Sequence, residues 1–333
     1  MHESEWTSGR LLEMSGGYWG ACALHAGVKL ELFSRLGAGT ATAESLVATT
    51  GFDRRGLSEL LRALCALGLL ELRAGAFANT PFARAHLDQQ APAYLGHILL
   101  HHHHLMSGWS RLHEAVQNGK PVRPAAATTD DAKQRESFLL GMFNLAMNLA
   151  PQLVPRIDLS GRRRLLDLGG GPGTYAAHFC LANPDLQGVV YDLPTTRPFA
   201  EKTLARFALA GRVTFVEGDY LIDEIPGTYD VVWLSHILHG EGLEGCRTII
   251  AKAVRALQPG GMIIVQDFIL DDDGCGPLFP ALFSLNMVVN TEAGRSYREG
   301  ELKGLLAAAG VGSLRRIHHD LPGHTGLITG TVP

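Results

Sequence analysis

The chain has 333 residues, 46% hydrophobic and 19% charged, with a formal net charge of −4. That length suggests two domains, and the slight acidity excludes a general attraction to nucleic acid or to an anionic membrane. Five scattered cysteines (Cys22, Cys65, Cys180, Cys246, Cys275) form no C-x-x-C pair. Disulfides and a metal centre are therefore not expected, and a reducing, cytoplasmic setting is the default. The first ten residues hold no apolar leader, and no run approaches eighteen uncharged apolar residues.

In chain order, Trp19 to Leu36 reads as one amphipathic helix with Leu24, Val28, Leu32 and Phe33 on a stripe and Gly37 as its stop. Thr42 caps a short helix that Gly51 breaks, and Asp53 precedes a longer one carrying Leu57, Leu60, Leu61, Leu64, Leu67 and Leu70. Two short strands turn at Ala74–Gly75. Helix, turn, helix and hairpin make a winged-helix pattern. Between Thr40 and Ala85 five arginines face four acids, a net of +1, too little for a phosphate-binding face. The segment His101–His104 reads as helical at a domain boundary, where consecutive side chains point about 100° apart and cannot share a metal. Residues 120–131 read as a loop, followed by a helix from Ala132 to Asn148.

The most informative stretch is Leu165–Thr174, LLDLGGGPGT: an apolar strand ending at Asp167, a glycine turn, then a helix from Thr174. Glycine lets the main chain take positive φ and lie bare against a ligand at a helix N-terminus. The dinucleotide fingerprint fails because Thr174 stands where the third glycine belongs, and no Gly-Lys-Ser/Thr follows to make a P-loop. A second strand ends at Asp192, placed to accept from ribose hydroxyls. A third ends in Glu217-Gly218-Asp219-Tyr220, a carboxylate for an exocyclic amine and a ring for an adenine face. Acidic strand ends beside one glycine turn imply an adenosine-like ligand without a pyrophosphate.

Asp167-Leu-Gly-Gly-Gly-Pro-Gly173, Tyr191-Asp-Leu-Pro194, Gly218-Asp219 and Leu257-Gln-Pro-Gly-Gly261 occur in order. Together they resemble the S-adenosylmethionine (SAM)-dependent O-methyltransferases of small molecules, of the plant caffeate type and its bacterial relatives acting on polyketides, phenols and pigments. The resemblance spans essentially the whole chain. It implies an α/β fold, a Rossmann-like, mostly parallel mixed sheet preceded by a helical winged-helix dimerisation domain. The domains are expected at 1–98 and 99–333, with a helical linker at 99–155 lining the substrate pocket. It further implies a homodimer whose N-terminal domain helps close the partner's pocket, SAM as cofactor and S-adenosylhomocysteine as product. Asp167, Gly169, Gly171, Asp192, Leu193, Gly218, Asp219, Tyr220 and Ser235 are the expected cofactor residues, and Met142, Phe143, Asn286 and Asn290 the expected acceptor contacts.

The fourth strand, Asp230–Leu234, leads to His239, which with Cys246 matches the family's offsets for a catalytic histidine and a following cysteine. Methyl transfer is an in-line displacement that needs the acceptor oxygen held and deprotonated, which a neutral imidazole can do. His236, three residues earlier, is a rival. Asp267, at the end of the fifth strand, falls where the family orients its histidine with a glutamate; being one methylene shorter, it is expected to reach through a water. Three departures stand out: Gly240-Glu241 after the histidine, Ser235 in place of a lysine, and Ser296 in place of a second glutamate. Two other readings stay open at this point. One is a SAM-binding protein with other chemistry (decarboxylation or hydroxylation) or none; the other is a DNA-binding regulator.

Overall fold

The computed structural model describes residues 6–123, 131–317 and 325–333. Most of the expected loop at 120–131 lies outside them. The chain divides into two compact units, Met1–His104 and Leu105–Pro333. The expected boundary at residue 98 falls inside a helix that runs from Gly96 to Trp109.

In the first unit, α1 (Ser8–Gly16) comes first, and α2 (Tyr18–Lys29) and α3 (Leu32–Leu36) replace the single expected helix. The chain breaks at Glu31, whose φ is +59°. The break folds Phe33 back onto Gly27, where a Cβ would come within 3.0 Å of the Phe33 ring. A short strand β1 (Thr40–Ala41) precedes α4 (Ala43–Thr50) and α5 (Arg54–Ala66). Thr42 caps α4 by accepting from the Ser45 N–H, as expected, and Asp53 caps α5 by accepting from the Gly56 N–H. Strands β2 (Leu70–Arg73) and β3 (Ala76–Asn79) turn at Ala74–Gly75, and β1 joins them as a third strand that the pattern did not reveal. Leu32, Phe33, Leu57, Leu61, Leu64 and Phe77 form the core. The helices α6 (Pro81–His86) and α7 (Gly96–Trp109) follow.

The second unit begins with α8 (Leu112–Asn118) and α9 (Ala132–Leu153), the latter longer than expected. With the turn that follows it, this helix is long and apolar enough to cross a membrane by length and composition. Half of that window is buried in the protein, with Leu139, Ala146, Leu149 and Leu153 inside. The remaining elements are β4 (Arg164–Leu168), α10 (Thr174–Ala182), β5 (Gln187–Asp192), α11 (Arg197–Arg206), β6 (Val213–Glu217), β7 (Tyr229–Ser235), α12 (Leu243–Arg255) and β8 (Leu257–Asp267). The chain closes with α13 (Leu278–Asn290), α14 (Glu299–Ala308), β9 (Gly312–Ile317) and β10 (Gly326–Thr331).

The seven strands run β6-β5-β4-β7-β8-β10-β9, parallel except for β10, which pairs antiparallel with both neighbours. Along β7 the side chains alternate as a pleated strand requires. Val231 and Trp233 pack with α9, α10 and α11, whereas Val232 and Leu234 pack with α12 and α14. Both faces are therefore covered. Strand order reverses between β4 and β7, so the crevice above their C-terminal ends is the natural place for a ligand.

Candidate active site

The end of β4 feeds the glycine turn. Gly169, Gly171 and Gly173 take φ of +67°, +54° and +73°, values only glycine adopts without cost. A Cβ on Gly171 would meet nothing within 4 Å, so its main chain is bare to the crevice. Gly169 lies against Ile237 and Tyr220, the latter near enough for a Cβ to come within 3.3 Å of its ring.

Beneath the turn, Asp167 is 1% exposed. Its Oδ2 accepts from the Ala176 N–H at 3.1 Å, while Oδ1 has no partner among the described residues. Burial pushes this carboxyl up to about 7; the Ala176 hydrogen bond opposes the rise and the charge of Asp192 adds to it. Asp192 is committed to the protein: Oδ2 accepts from Gly171 N–H at 2.8 Å, and Oδ1 from Leu193 N–H at 2.7 Å and Thr196 Oγ1 at 3.0 Å. Three of about four acceptor positions are thus filled by the protein.

Gly218 is bare for a local reason, since a Cβ there would fall 2.0 Å from the Tyr191 hydroxyl. Asp219 caps its own turn by accepting from Leu221 N–H. Ser235 donates its hydroxyl to Gln266 Oε1 at 2.9 Å, which ties β7 to β8.

His239 sits on a single 3-10 turn, Leu238–Gly240, before α12 rather than on that helix. The turn is clasped by two donors: Cys246 Sγ to the Leu238 carbonyl at 3.2 Å, and the Tyr297 hydroxyl to the Glu241 carbonyl. His239 Nδ1 lies 2.7 Å from Asp267 Oδ1, which corrects the expectation of a bridging water. The short 3-10 turn brings the histidine close enough for the shorter carboxylate. Asp267 is 3% exposed. Burial pushes its carboxyl up, but the charge and hydrogen bond of His239, together with the nearby His236 imidazole, outweigh that and hold it below the ordinary range. His236 stands on the same carboxylate, Nδ1 to Oδ1 3.8 Å.

Three phenylalanines that the sequence did not single out surround this pair. Phe283 meets His239 edge-on at 4.8 Å and Phe268 at 4.3 Å; Phe279 meets Phe268 at 5.1 Å. Phe268 directly follows Asp267, and Phe279 and Phe283 stand four apart on α13, a spacing that places both on one helical face. That spacing was the available signal.

Asn286 and Asn290 are buried one turn apart, and Asn290 Nδ2 donates to Asn286 Oδ1 at 3.0 Å. Trp109 Nε1, unforeseen, donates to the same oxygen at 3.0 Å. Asn290 Oδ1 has no partner among the described residues. Met142 is half-buried on α9, and Phe143 lies under the Arg206 guanidinium (5.4 Å), so its ring contact is with the end of α11. Ser296 is buried and donates to the Pro280 carbonyl at 2.8 Å, pinning α13 where a second carboxylate was looked for.

A switch-point crevice with a bare glycine turn, acidic ends on the neighbouring strands and a histidine–aspartate pair defines a methyltransferase-type nucleoside-binding fold. Residues 109–312 match the O-methyltransferase domain family and residues 12–89 the O-methyltransferase dimerisation domain. The chain is 34% identical to a 3-hydroxy-5-methyl-1-naphthoate 3-O-methyltransferase of Streptomyces sahachiroi, over 96% of this chain and 94% of that one. It is 33% identical to the tetracenomycin polyketide synthesis 8-O-methyl transferase TcmO of Streptomyces glaucescens, over 92% of each. The solved structure of PigF with S-adenosylhomocysteine, a protein known from Serratia, superposes with a TM-score of 0.89 at 28% identity, covering 98% of this chain and 100% of that one. The chain belongs to the O-methyltransferase family and is a SAM-dependent O-methyltransferase.

The residues present fit the cofactor. The orphaned, buried Asp167 Oδ1 suits a cationic amino group, and the open main chain at Gly171 is a cradle that a Cβ would fill.

Proposed function

We propose that the chain methylates a hydroxyl of a small aromatic or polyketide-like molecule, as a homodimer, with His239 as general base. The observation that carries this is the 2.7 Å contact of His239 Nδ1 with Asp267. Asp267 accepts from Nδ1–H and so fixes the tautomer, leaving the Nε2 lone pair for the proton of the acceptor hydroxyl. Asp167, Gly169, Gly171, Asp192 and Tyr220 would hold SAM, which when bound supplies a methyl group activated by its sulfonium. As Nε2 takes its proton, the acceptor oxygen gains the negative charge it needs to attack. The resulting imidazolium is stabilised by the Asp267 carboxylate.

Phe268 and Phe283 pack against His239, and with Phe279 would offer faces and edges to a planar acceptor. The naphthoate and tetracenomycin relatives support an acceptor of that kind. For the dimer, support comes from α1 and the start of α2: α1 buries no residue, and Leu12, Tyr18 and Trp19 are exposed.

The test is S-adenosylhomocysteine production by His239→Gln with hydroxynaphthoates as acceptors. A loss of roughly 10²–10⁴-fold in kcat with SAM binding retained is expected; near-wild-type turnover refutes the base.

A further inference from the structure

We propose that His236, His239 and Asp267 form a binding site for a zinc ion whose occupancy switches methyl transfer off. One nitrogen of each imidazole and one oxygen of Asp267 all lie within 4.8 Å of one another. Asp267 Oδ1 is 2.7 Å from His239 Nδ1 and 3.8 Å from His236 Nδ1. Ligands at about 2.0–2.1 Å from a tetrahedral zinc stand roughly 3.3 Å apart, between these two separations. Changes of about half an ångström in each of these two separations therefore bring the Asp267 oxygen to coordination spacing from both imidazoles.

His236 has no other assigned work. Its Nδ1 is closed off from solvent and lacks a hydrogen-bond partner among the described residues. Its backbone takes φ +56°, a left-handed conformation that costs a non-glycine residue about 1–3 kcal/mol and persists only where the surroundings impose it. The backbone N–H is fixed to the Gln266 carbonyl at 2.9 Å, and Phe268 packs on the ring at 4.4 Å. The strain is spent on aiming an imidazole at the carboxylate that already serves His239. Two imidazoles and one carboxylate suit zinc or cobalt rather than magnesium or calcium, which prefer all-oxygen shells.

The consequence for catalysis follows from the tautomer. Coordination through Nδ1 requires the lone pair there, so the ring proton moves from Nδ1 to Nε2. Nε2–H is a donor and cannot take the proton of the acceptor hydroxyl. Binding itself does not depend on the methyl-transfer reading; the switch does, through the role of His239.

The experiment uses the full chain, stripped with a chelator and free of cofactor and acceptor. Zinc is titrated in competition with a chromophoric chelator, and cobalt is used to report four-coordinate geometry by its visible absorption. The chain carries 15 histidines, so the readout is a difference between variants. Wild type is expected to bind one more tight equivalent than either His236→Asn or Asp267→Asn, and the cobalt band is lost in both. Asn is chosen at 236 because it tolerates left-handed backbone. Circular dichroism establishes that each variant is folded. Equal stoichiometry and affinity in wild type and both folded variants overturns the site. In turnover assays, half-inhibition by zinc is expected at least tenfold higher for His236→Asn, relative to that variant's own rate. Unchanged half-inhibition overturns the switch. If His239→Gln keeps full activity while zinc binding depends on His236 and Asp267, the base reading fails and the metal site stands.

Discussion

Asp267→Asn isolates the charge of the orienting group. In the native site Oδ1 accepts from both His239 Nδ1 and the Phe268 N–H, at 2.7 and 2.8 Å. Oδ2 accepts from the His239 N–H at the longer distance of 3.3 Å. The amide oxygen of Asn will take the position where two donors converge, which keeps the Nδ1–H tautomer; the substitution removes the negative charge and the longer Oδ2 contact with the His239 N–H. An imidazolium and a carboxylate with charge centres roughly 4 Å apart attract by about 4 kcal/mol at an effective dielectric near 20. If the proton is half transferred at the transition state, about 2 kcal/mol of that is felt there. The expected fall in kcat is therefore roughly 30-fold for half transfer, rising to roughly 1,000-fold if the proton is fully transferred. Release of S-adenosylhomocysteine at saturating SAM and acceptor measures it, and calorimetry should find SAM affinity within about twofold of wild type. A kcat within threefold of wild type refutes the argument, as does a loss that appears only in the affinity for SAM.

Asp167 predicts a pH dependence. Its carboxyl is raised from 3.8 to about 7 in the folded protein. A raised value means the neutral form is favoured by folding, so this contribution is full below pH 4 and is lost as pH climbs through 7. Asp167→Asn should match wild-type thermal stability near pH 4 and exceed it increasingly by pH 8; a constant difference across that range refutes the reading. Gly218→Ala should cost about 1–3 kcal/mol in urea unfolding, because its Cβ meets the Tyr191 ring and hydroxyl. An unchanged midpoint would show that the ring moves aside freely. Phe283→Ala, which removes the edge contact on His239, should raise KM for a naphthol acceptor several-fold more than KM for SAM. Equal changes in both would place Phe283 outside the acceptor pocket.

The sheet and its glycine turn were legible because each rests on local chemistry. Glycine at 169, 171 and 173 permits the left-handed backbone there, and the short continuous apolar run Val231–Leu234 suits a strand buried on both faces. Caps at Thr42 and Asp53 were equally local. The helix break at Glu31 was not, because it is imposed by Phe33 folding over Gly27, a contact that periodicity cannot express. In the site, His239 and Asp267 could be placed by offset, but their direct contact depends on the length of a 3-10 turn. The phenylalanine wall and Trp109 come from segments far apart in sequence, so their convergence is a property of the fold alone.

Strand order has a consequence for the newborn chain. Strand β8, which ends in Asp267, is flanked on its outer side by β10, with Gly326 opposite Asp267. The ribosome makes β10 only after α13, α14 and β9. Until then β8 presents a free edge of Ile263, Ile264 and Val265, apolar residues with unpaired backbone groups. The strand that carries the orienting carboxylate is thus the one most open to wrong partners during synthesis, and β9 has no strand to join until β10 arrives. Destabilising β10 should therefore show itself first as aggregation during expression, before any defect in the purified enzyme.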